Sequence, residues 1–164
     1  VLYRENFLKP VVVLGNIEKL LISEIMAGKS GNSAYEFIEL FNPTASSIAL
    51  RGLVVQKRNS NGVLGTFVSS KRLEGKNIES KHYFLLANEG GYNGAVFPDV
   101  WWPKSNSLAY ASNSVALVVE ESGKIFEEIR WEKLLPDMSF MRVNAEDNMF
   151  VITASGTPQN SKSE

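Results

Sequence analysis

The sequence predicts an all-β domain, built as a sandwich or a barrel, and three observations support this prediction. Short apolar segments of strand length recur along the chain, and residues that favour turns separate them. No segment has the apolar periodicity of a long amphipathic helix. The chain has 164 residues, 44% of them hydrophobic and 21% charged, which suits one domain with its own core.

Charge and composition exclude several classes of function. Seventeen basic side chains face eighteen acidic ones, and this balance gives no overall attraction for nucleic acids. The absence of cysteine excludes disulfides, thiol nucleophiles and cysteine-based metal sites. No apolar run approaches the roughly 18 residues that a membrane-spanning helix requires.

Two apolar segments open the predicted domain. Leu20–Met26 has the length of a strand and ends at the turn-forming loop Gly28–Ser33. In Tyr35–Phe41, large apolar side chains occupy both faces of an extended strand, which predicts a strand that is covered on both sides. Asn42 and Pro43 end this strand, because asparagine favours turns and proline lacks an amide hydrogen.

The middle of the chain predicts a bend, a hairpin and another strand. Ile48–Val55 is interrupted at Gly52, which indicates a bulge or a sharp bend. Asn59–Gly62 predicts a tight turn, since Asn-Gly adopts positive φ at low cost. His82–Ala87 then has the composition of a strand.

The last predicted elements follow a long loop rich in aromatic residues. Ser114–Val119 and Lys124–Trp131 predict a hairpin, and residues 132–135 predict one helical turn before a proline. Ser139–Arg142 and Met149–Thr153 predict two final strands.

Several short motifs, in this order, resemble the lamin-tail domain family. Leu21–Ile25 looks like its opening strand, and Glu36–Pro43 is close to its most recognisable motif. Ile48–Leu53 resembles its "leucine, any, glycine, tryptophan" turn, although Leu53 stands where an aromatic residue is usual. The closing motifs are similar to Ser139–Arg142 and Thr157–Asn160.

The resemblance covers residues 20–160 and implies an immunoglobulin-like β-sandwich. Residues 1–19 form an N-terminal arm outside the likeness, and residues 161–164 form a polar tail. In nuclear lamins such domains bind proteins, with DNA or chromatin considered as further partners, whereas bacterial look-alikes occur in secreted or surface proteins. Because the chain has no heptad rod, we expect the bacterial type and an extracellular or cell-surface location.

Catalysis has little support in the sequence. His82 is the only histidine, and it follows Lys81 at the start of a predicted strand, where a surface or edge position is expected. Loop aspartates offer oxygens to a cation, but no calcium-loop pattern is present. We therefore expect no enzyme activity, no cofactor and no bound metal.

Three residues are expected to have structural roles. Glu39 lies between Phe37 and Phe41 on one strand face, and a buried carboxylate requires hydrogen bonds or a counter-ion. We expect Glu39 to accept hydrogen bonds from backbone amides of a neighbouring loop. Asn42 is expected to end its strand in a turn, and Gly52 to allow a bend.

Two segments are candidate contact sites, each with an alternative. The aromatic loop offers Tyr92, Phe97, Trp101 and Trp102, either as a contact surface that can stack on sugars or bases or as a cap on one end of the sandwich, and the cap is favoured. The arm contains the β-branched run Val11, Val12, Val13 and Leu14. This run is either donated to the sheet edge of a neighbouring copy or added as an edge strand to its own sandwich.

A third candidate is a basic loop, and it is more consistent with a solvated rim than with a phosphate-binding patch. Two glutamates dilute its charge. Its basic residues are Lys71, Arg72, Lys76 and Lys81, with Lys57 and Arg58 nearby in sequence.

The leading functional hypothesis is a non-catalytic binding or structural module that contacts other proteins. One alternative is a subunit of an extracellular assembly or filament, joined by strand donation from the arm. Another is an accessory domain that binds carbohydrate or DNA.

Overall fold

The computed structural model describes residues 16–163 and shows β-sheets packed as a sandwich, which confirms the predicted all-β fold class. The elements follow in the order 3-10 turn Ile17–Lys19, β1 Leu21–Met26, β2 Phe37–Phe41, β3 Ile48–Ala49, β4 Leu53–Arg58, β5 Leu64–Val68, α1 Ser70–Leu73, β6 Asn77–Ile78, β7 Tyr83–Asn88, β8 Val100–Trp102, β9 Ala111–Val119, β10 Lys124–Lys133, β11 Ser139–Arg142 and β12 Phe150–Thr153.

Two sheets form the layers of the sandwich. The six-stranded sheet has the order β12-β11-β1-β2-β7-β8, and the four-stranded sheet has the order β10-β9-β4-β5. β3 and β6 form a separate two-stranded ribbon. The strand pairs of the described residues are antiparallel except for β7 and β8, which are parallel.

Local turn chemistry explains most of the strand boundaries. Asn59–Gly62 joins β4 to β5, and Gly62 has the positive φ of +78° that its Asn-Gly sequence favours. Gly52 adopts a φ of +80° in the turn between β3 and β4.

Two of the predicted elements differ in the structure. Residues 132–135 do not form a helical turn, because β10 continues to Lys133, which pairs with Ala111 of β9. The long loop contains the short strand β8, which pairs with the end of β7. In both places the backbone joins an existing ladder, and this tertiary pairing overrides local preference. The predicted strand Val11–Leu14 lies outside the described residues.

The main core lies between the two sheets. Ile25, Ile38 and Leu86 of the larger sheet pack in one cluster with Val55 and Leu117 of the smaller sheet. The outer face of the six-stranded sheet carries a second apolar cluster of Met26, Tyr35, Phe37, Leu85, Ala87 and Tyr92. The central strand β2 is therefore covered on both faces.

An ion pair in the interior joins the two layers at one side. Glu127 of β10 accepts hydrogen bonds from the guanidinium of Arg142 and from the backbone N–H of Ile22. Arg142 also donates through Nε to the carbonyl of Ile22, at 2.9 Å. Because the pair and its backbone partner satisfy one another, these charges are tolerated in a largely dry environment.

Candidate functional site

The carboxylate of Glu39 lies on the outer face of the six-stranded sheet and is almost completely buried. The Ser23 hydroxyl donates to one of its oxygens at 2.5 Å, and the backbone N–H of Gln159 donates to the other at 2.7 Å. Gln159 belongs to the extended segment that follows β12. Glu39 thus fastens the C-terminal part of the chain to the middle of the sheet.

Two further carboxylates hold the same segment. Glu24 accepts hydrogen bonds from the backbone N–H and the hydroxyl of Thr157, with its oxygens 3.0–3.2 Å from the two donors. Asp99 accepts hydrogen bonds from the backbone N–H and the hydroxyl of Ser161, at 2.9 Å and 2.5 Å. We call residues 157–161 the C-terminal strap, because the segment crosses from β1 over β2 towards β8.

The spacing of the strap follows from backbone geometry. In an extended segment, alternate residues point their amide groups to the same side, so Thr157, Gln159 and Ser161 face the sheet together. Pro158 has no amide hydrogen, and its position between two donors leaves no donor unsatisfied. The strap uses side-chain acceptors, because it lies across the face of the sheet instead of along its edge.

A β-bulge places two of these acceptors side by side. The register between β1 and β2 shifts between Ile22 and Glu24, so that Ser23 is the extra residue. After the bulge, Glu24 is the direct cross-strand partner of Glu39. Two carboxylates thus face the strap from adjacent positions.

The proximity of Glu24 and Glu39 affects the pKa of Glu39. Burial raises the pKa of Glu39 to about 8, the hydrogen bonds from Ser23 and Gln159 oppose this increase, and the charge of Glu24 adds to it. Among the described side chains, no cation forms a salt bridge with either carboxylate. Glu39 therefore binds its proton more tightly than an exposed glutamate does.

A third buried glutamate works in the same way on the inner face of the sheet. Glu36 accepts a hydrogen bond from the side-chain amide of Asn88 and another from the backbone N–H of Leu108, both at 2.7 Å. Burial raises the pKa of Glu36 to about 7 despite these two hydrogen bonds. Glu36 fixes the far end of the aromatic loop, as Glu39 fixes the strap.

The aromatic loop folds onto the outer face of the six-stranded sheet. Tyr92 is buried against Phe37, and Trp102 is fully buried, with its indole N–H donating to the carbonyl of Asn106 at 3.0 Å. Trp101 is half-buried, whereas Phe97 is 71% exposed. Tyr92 belongs to the apolar cluster on the outer face, Trp102 packs in the main core between the two sheets, and Phe97 is the most exposed of the four aromatics.

The remaining predicted residues take local roles or lie apart. Asn42 is buried and donates from its amide to the carbonyls of Ser46, Ile78 and Glu79, so it organises the turn after β2. His82 is half-buried and contacts the carbonyl of Ser80 through Nδ1. The assembly arm, Val11, Val12, Val13 and Leu14, lies outside the described residues.

The basic residues are partly engaged with the backbone. Lys71, Arg72, Lys76 and Lys81 are exposed. Arg72 donates to the carbonyl of Trp101, and Lys81 donates to the carbonyl of Pro43. Within the described part of the chain, no group of three or more metal-ligating side chains is close enough to hold an ion.

An apolar edge was not anticipated from the sequence. β12 is the outermost strand of the six-stranded sheet, and Val151 and Ile152 are 41% and 53% exposed. Val143 and Met149, at the other end of the same hairpin, are also exposed. Such an edge offers backbone hydrogen-bonding groups and apolar side chains together.

The comparisons with known proteins agree with this geometry. The family model of the lamin tail domain matches residues 15–133, and the chain belongs to this family. The matched region includes β1 to β10, whereas β11, β12 and the strap lie beyond it. A search of curated proteins finds no match. Between residues 16 and 163, no helix is long and apolar enough to cross a membrane.

The sequence analysis did not predict that Glu24 and Asp99 hold the strap by hydrogen bonds. The alternation of a regular strand assigns Ser23 and Glu24 to opposite faces, and only a bulge brings both to the same face. The available signal was the spacing of Thr157, Gln159 and Ser161, which repeats every second residue ahead of the C-terminus.

The raised pKa of Glu39 predicts a pH dependence of stability. From about pH 4.5 to about pH 8, the folded state keeps a proton that the unfolded chain has lost. The free energy of unfolding therefore decreases as pH rises, by up to roughly 1.4 kcal/mol per pH unit for this group. In Glu39→Gln the amide cannot ionise, so urea unfolding measured across this window should show a shallower slope. Glu121→Gln, at an exposed position, should keep the wild-type slope, and an unchanged slope in Glu39→Gln would contradict the assignment.

Proposed function

We propose that the chain is a non-catalytic module that binds other proteins through the exposed edge of its six-stranded sheet. The observation that carries this proposal is the apolar surface of β12, where Val151 and Ile152 are exposed on an edge that no other strand within residues 16–163 pairs with. A partner that supplies an extended apolar segment adds backbone hydrogen bonds to this edge and covers its side chains.

The chemistry of the interior supports a binding role over catalysis. Each buried glutamate described above has its oxygens engaged by donors from neighbouring segments. His82 contacts a backbone carbonyl and has no nucleophile among its described hydrogen-bond partners. These side chains hold loops in place, and they do not converge on a cleft where a substrate could be activated.

The position of the edge also favours a contact role. β12 follows the Asn144–Asn148 turn, in which Asn144 accepts hydrogen bonds from the backbone N–H groups of Glu146 and Asp147. Phe150 stacks on Phe140 with ring centroids 4.9 Å apart, and it fixes the inner face of the strand. The outer strand is thus held in shape before a partner arrives, which lowers the entropic cost of binding. Placement outside a bacterial cell belongs to the same proposal and rests on the resemblance alone.

A test of the edge uses a photo-reactive residue at position 151 and the secreted and surface proteins of the source organism. We expect capture of a discrete protein that excess unlabelled wild-type chain displaces. Ile152→Lys should fail to compete, because a charge on the edge opposes strand addition. Val63→Lys is the matched control, since Val63 is 61% exposed in a different hairpin, and it should compete fully. Equal competition by both variants would refute the role of the β12 edge.

Self-assembly by strand donation is the second candidate, and β12 supplies the acceptor edge that it requires. The run Val11–Leu14 has four apolar residues, three of them β-branched, and β12 has four residues. Head-to-tail pairing of this run with the β12 edge of another copy would generate a chain of subunits.

This second candidate makes a separate prediction for the full-length chain. Val12→Asp and Ile152→Lys should each reduce the mass measured by sedimentation equilibrium at high protein concentration, because they alter the two halves of one contact. Val63→Lys should leave the mass unchanged. A wild-type chain that stays monomeric at all concentrations would exclude assembly and leave binding to a different protein intact.

A further inference from the structure

The edge strands of the two large sheets differ in how they resist pairing with another chain. On β8, Arg72 donates a hydrogen bond to the carbonyl of Trp101 at 2.9 Å, and on β5, Asn106 donates to the carbonyl of Phe67 at 2.8 Å. β10 is charged along its length, at Lys124, Glu127, Glu128, Arg130, Glu132 and Lys133. Such devices protect sheet edges. β12 has no charged residue, and neither does the chain between Asp147 and Lys162.

The backbone of β12 offers hydrogen-bonding groups at two positions along this edge. The N–H of Val143 donates to the carbonyl of Met149 at 2.9 Å, so Met149 and, by alternation, Val151 direct their backbone groups towards β11. Phe150 and Ile152 direct their N–H and C=O groups the other way. These groups are the ones that an added strand would meet.

The side chains of β12 divide between the two faces of the sheet. Ile152 lies opposite Phe140, whose partner Ile25 belongs to the main core, so Ile152 and Phe150 project from the inner face. Val151 projects from the outer face. The exposed fractions of Ile152 and Val151 are 53% and 41%, so apolar area is exposed on both faces of one edge.

This arrangement matches an antiparallel pairing of β12 with a second copy of itself. A two-fold axis at Val151 places this residue opposite its own symmetry mate and places Phe150 opposite Ile152 of the second copy. Each of the two Phe150–Ile152 pairs then exchanges two hydrogen bonds, because both residues direct their backbone groups outward. A shift by one residue would set inner-face side chains opposite outer-face ones.

A cavity of about 250 Å³ lies beside the same edge, between β10 and the β11–β12 hairpin. Ile129, Phe140 and Phe150 supply its apolar lining. With the axis at Val151, Ile152 of the second copy lies next to Phe150 on the inner face, at this cavity. The pairing therefore covers an exposed isoleucine and extends the core of each copy towards the other.

The absence of charge favours a second copy as the occupant of the edge. A two-fold axis brings each charge of an edge close to an identical charge, and like charges opposite each other are destabilising. We propose that β12 pairs with β12 of a second copy, so that the two six-stranded sheets join across a closed dimer. The contact is small beside standard interfaces, so the dimer should dissociate on dilution.

This inference rests on the proposed function, because both assign the β12 edge as the contact, and it names the partner. A second copy and a different protein would compete for the edge. The closed dimer also differs from a head-to-tail chain of subunits, because it does not use the run Val11–Leu14 and it ends at two copies.

Cross-linking of single-cysteine variants of the full-length chain tests the pairing and its register, since the natural sequence has no cysteine. Val151→Cys should form a disulfide-linked dimer under a mild oxidant, because the central pair is not hydrogen-bonded and its Cα atoms lie only about 4.5 Å apart. Ile152→Cys is the control for register and should cross-link more slowly, since it faces Phe150 of the second copy. Val63→Cys, in another hairpin, should remain monomeric.

Sedimentation equilibrium of the full-length chain tests the closed assembly without a cross-link. With rising concentration, the wild-type mass should level off at two copies. Ile152→Lys should stay monomeric, whereas Val12→Asp should form the dimer as the wild type does. Three results would overturn the inference: a wild type that is monomeric at every concentration, a mass that grows beyond two copies, or equally fast cross-linking of Val63→Cys and Val151→Cys.

Failure of this inference is distinguishable from failure of the proposed function. If the chain is monomeric but position 151 still captures a different protein that Ile152→Lys cannot displace, only the dimer is refuted. If Ile152→Lys and Val63→Lys displace that protein equally well, the role of the β12 edge is refuted as a whole.

Discussion

The structure depends on buried carboxylates that are satisfied by backbone amides. Glu24, Glu36 and Glu39 are each at least 98% buried, and none forms a salt bridge with a described cation. A carboxylate in such a place is costly unless donors surround it, so each glutamate requires a segment that brings an N–H to its oxygens. The strap and the chain after the aromatic loop are the segments that donate these N–H groups.

This constraint explains how the six-stranded sheet is covered on its outer face. The aromatic loop adds Tyr92 and Trp101 to the apolar cluster around Phe37, and Gly156, which directly precedes the strap, lies against the same cluster. Gly156 lies so close to the Phe37 ring that a Cβ atom there would approach its carbons to 2.8 Å. Carboxylates position the segments, and apolar contacts then exclude water from the same face. Within residues 16–163, β12 is an exposed apolar edge of this sheet.

The sequence could predict much of the order of strands along the chain but few of the side-chain contacts that hold the strands and loops together. Turn residues such as Asn59–Gly62 and Asn42 have local causes, and the structure places them in turns. The adjacency of Glu24 and Glu39 has a non-local cause, because it requires a bulge that sequence alternation does not reveal. Trp102 illustrates the same limit, because the sequence does not reveal that this residue lies in β8 and packs in the core between the sheets. Ser114 looks like an ordinary strand residue, and only the packing around it shows that its hydroxyl lacks a partner.

Amide hydrogen exchange of the strap tests the central role of the carboxylates most directly. The N–H groups of Thr157, Gln159 and Ser161 donate to Glu24, Glu39 and Asp99, so in the folded chain they should exchange at least about tenfold more slowly than in an unstructured peptide of the same sequence. Replacement of Glu39 by leucine should remove most of the protection at Gln159. Exchange of all three amides at the rate of the free peptide would contradict the account, because the strap would then not be held by the buried carboxylates.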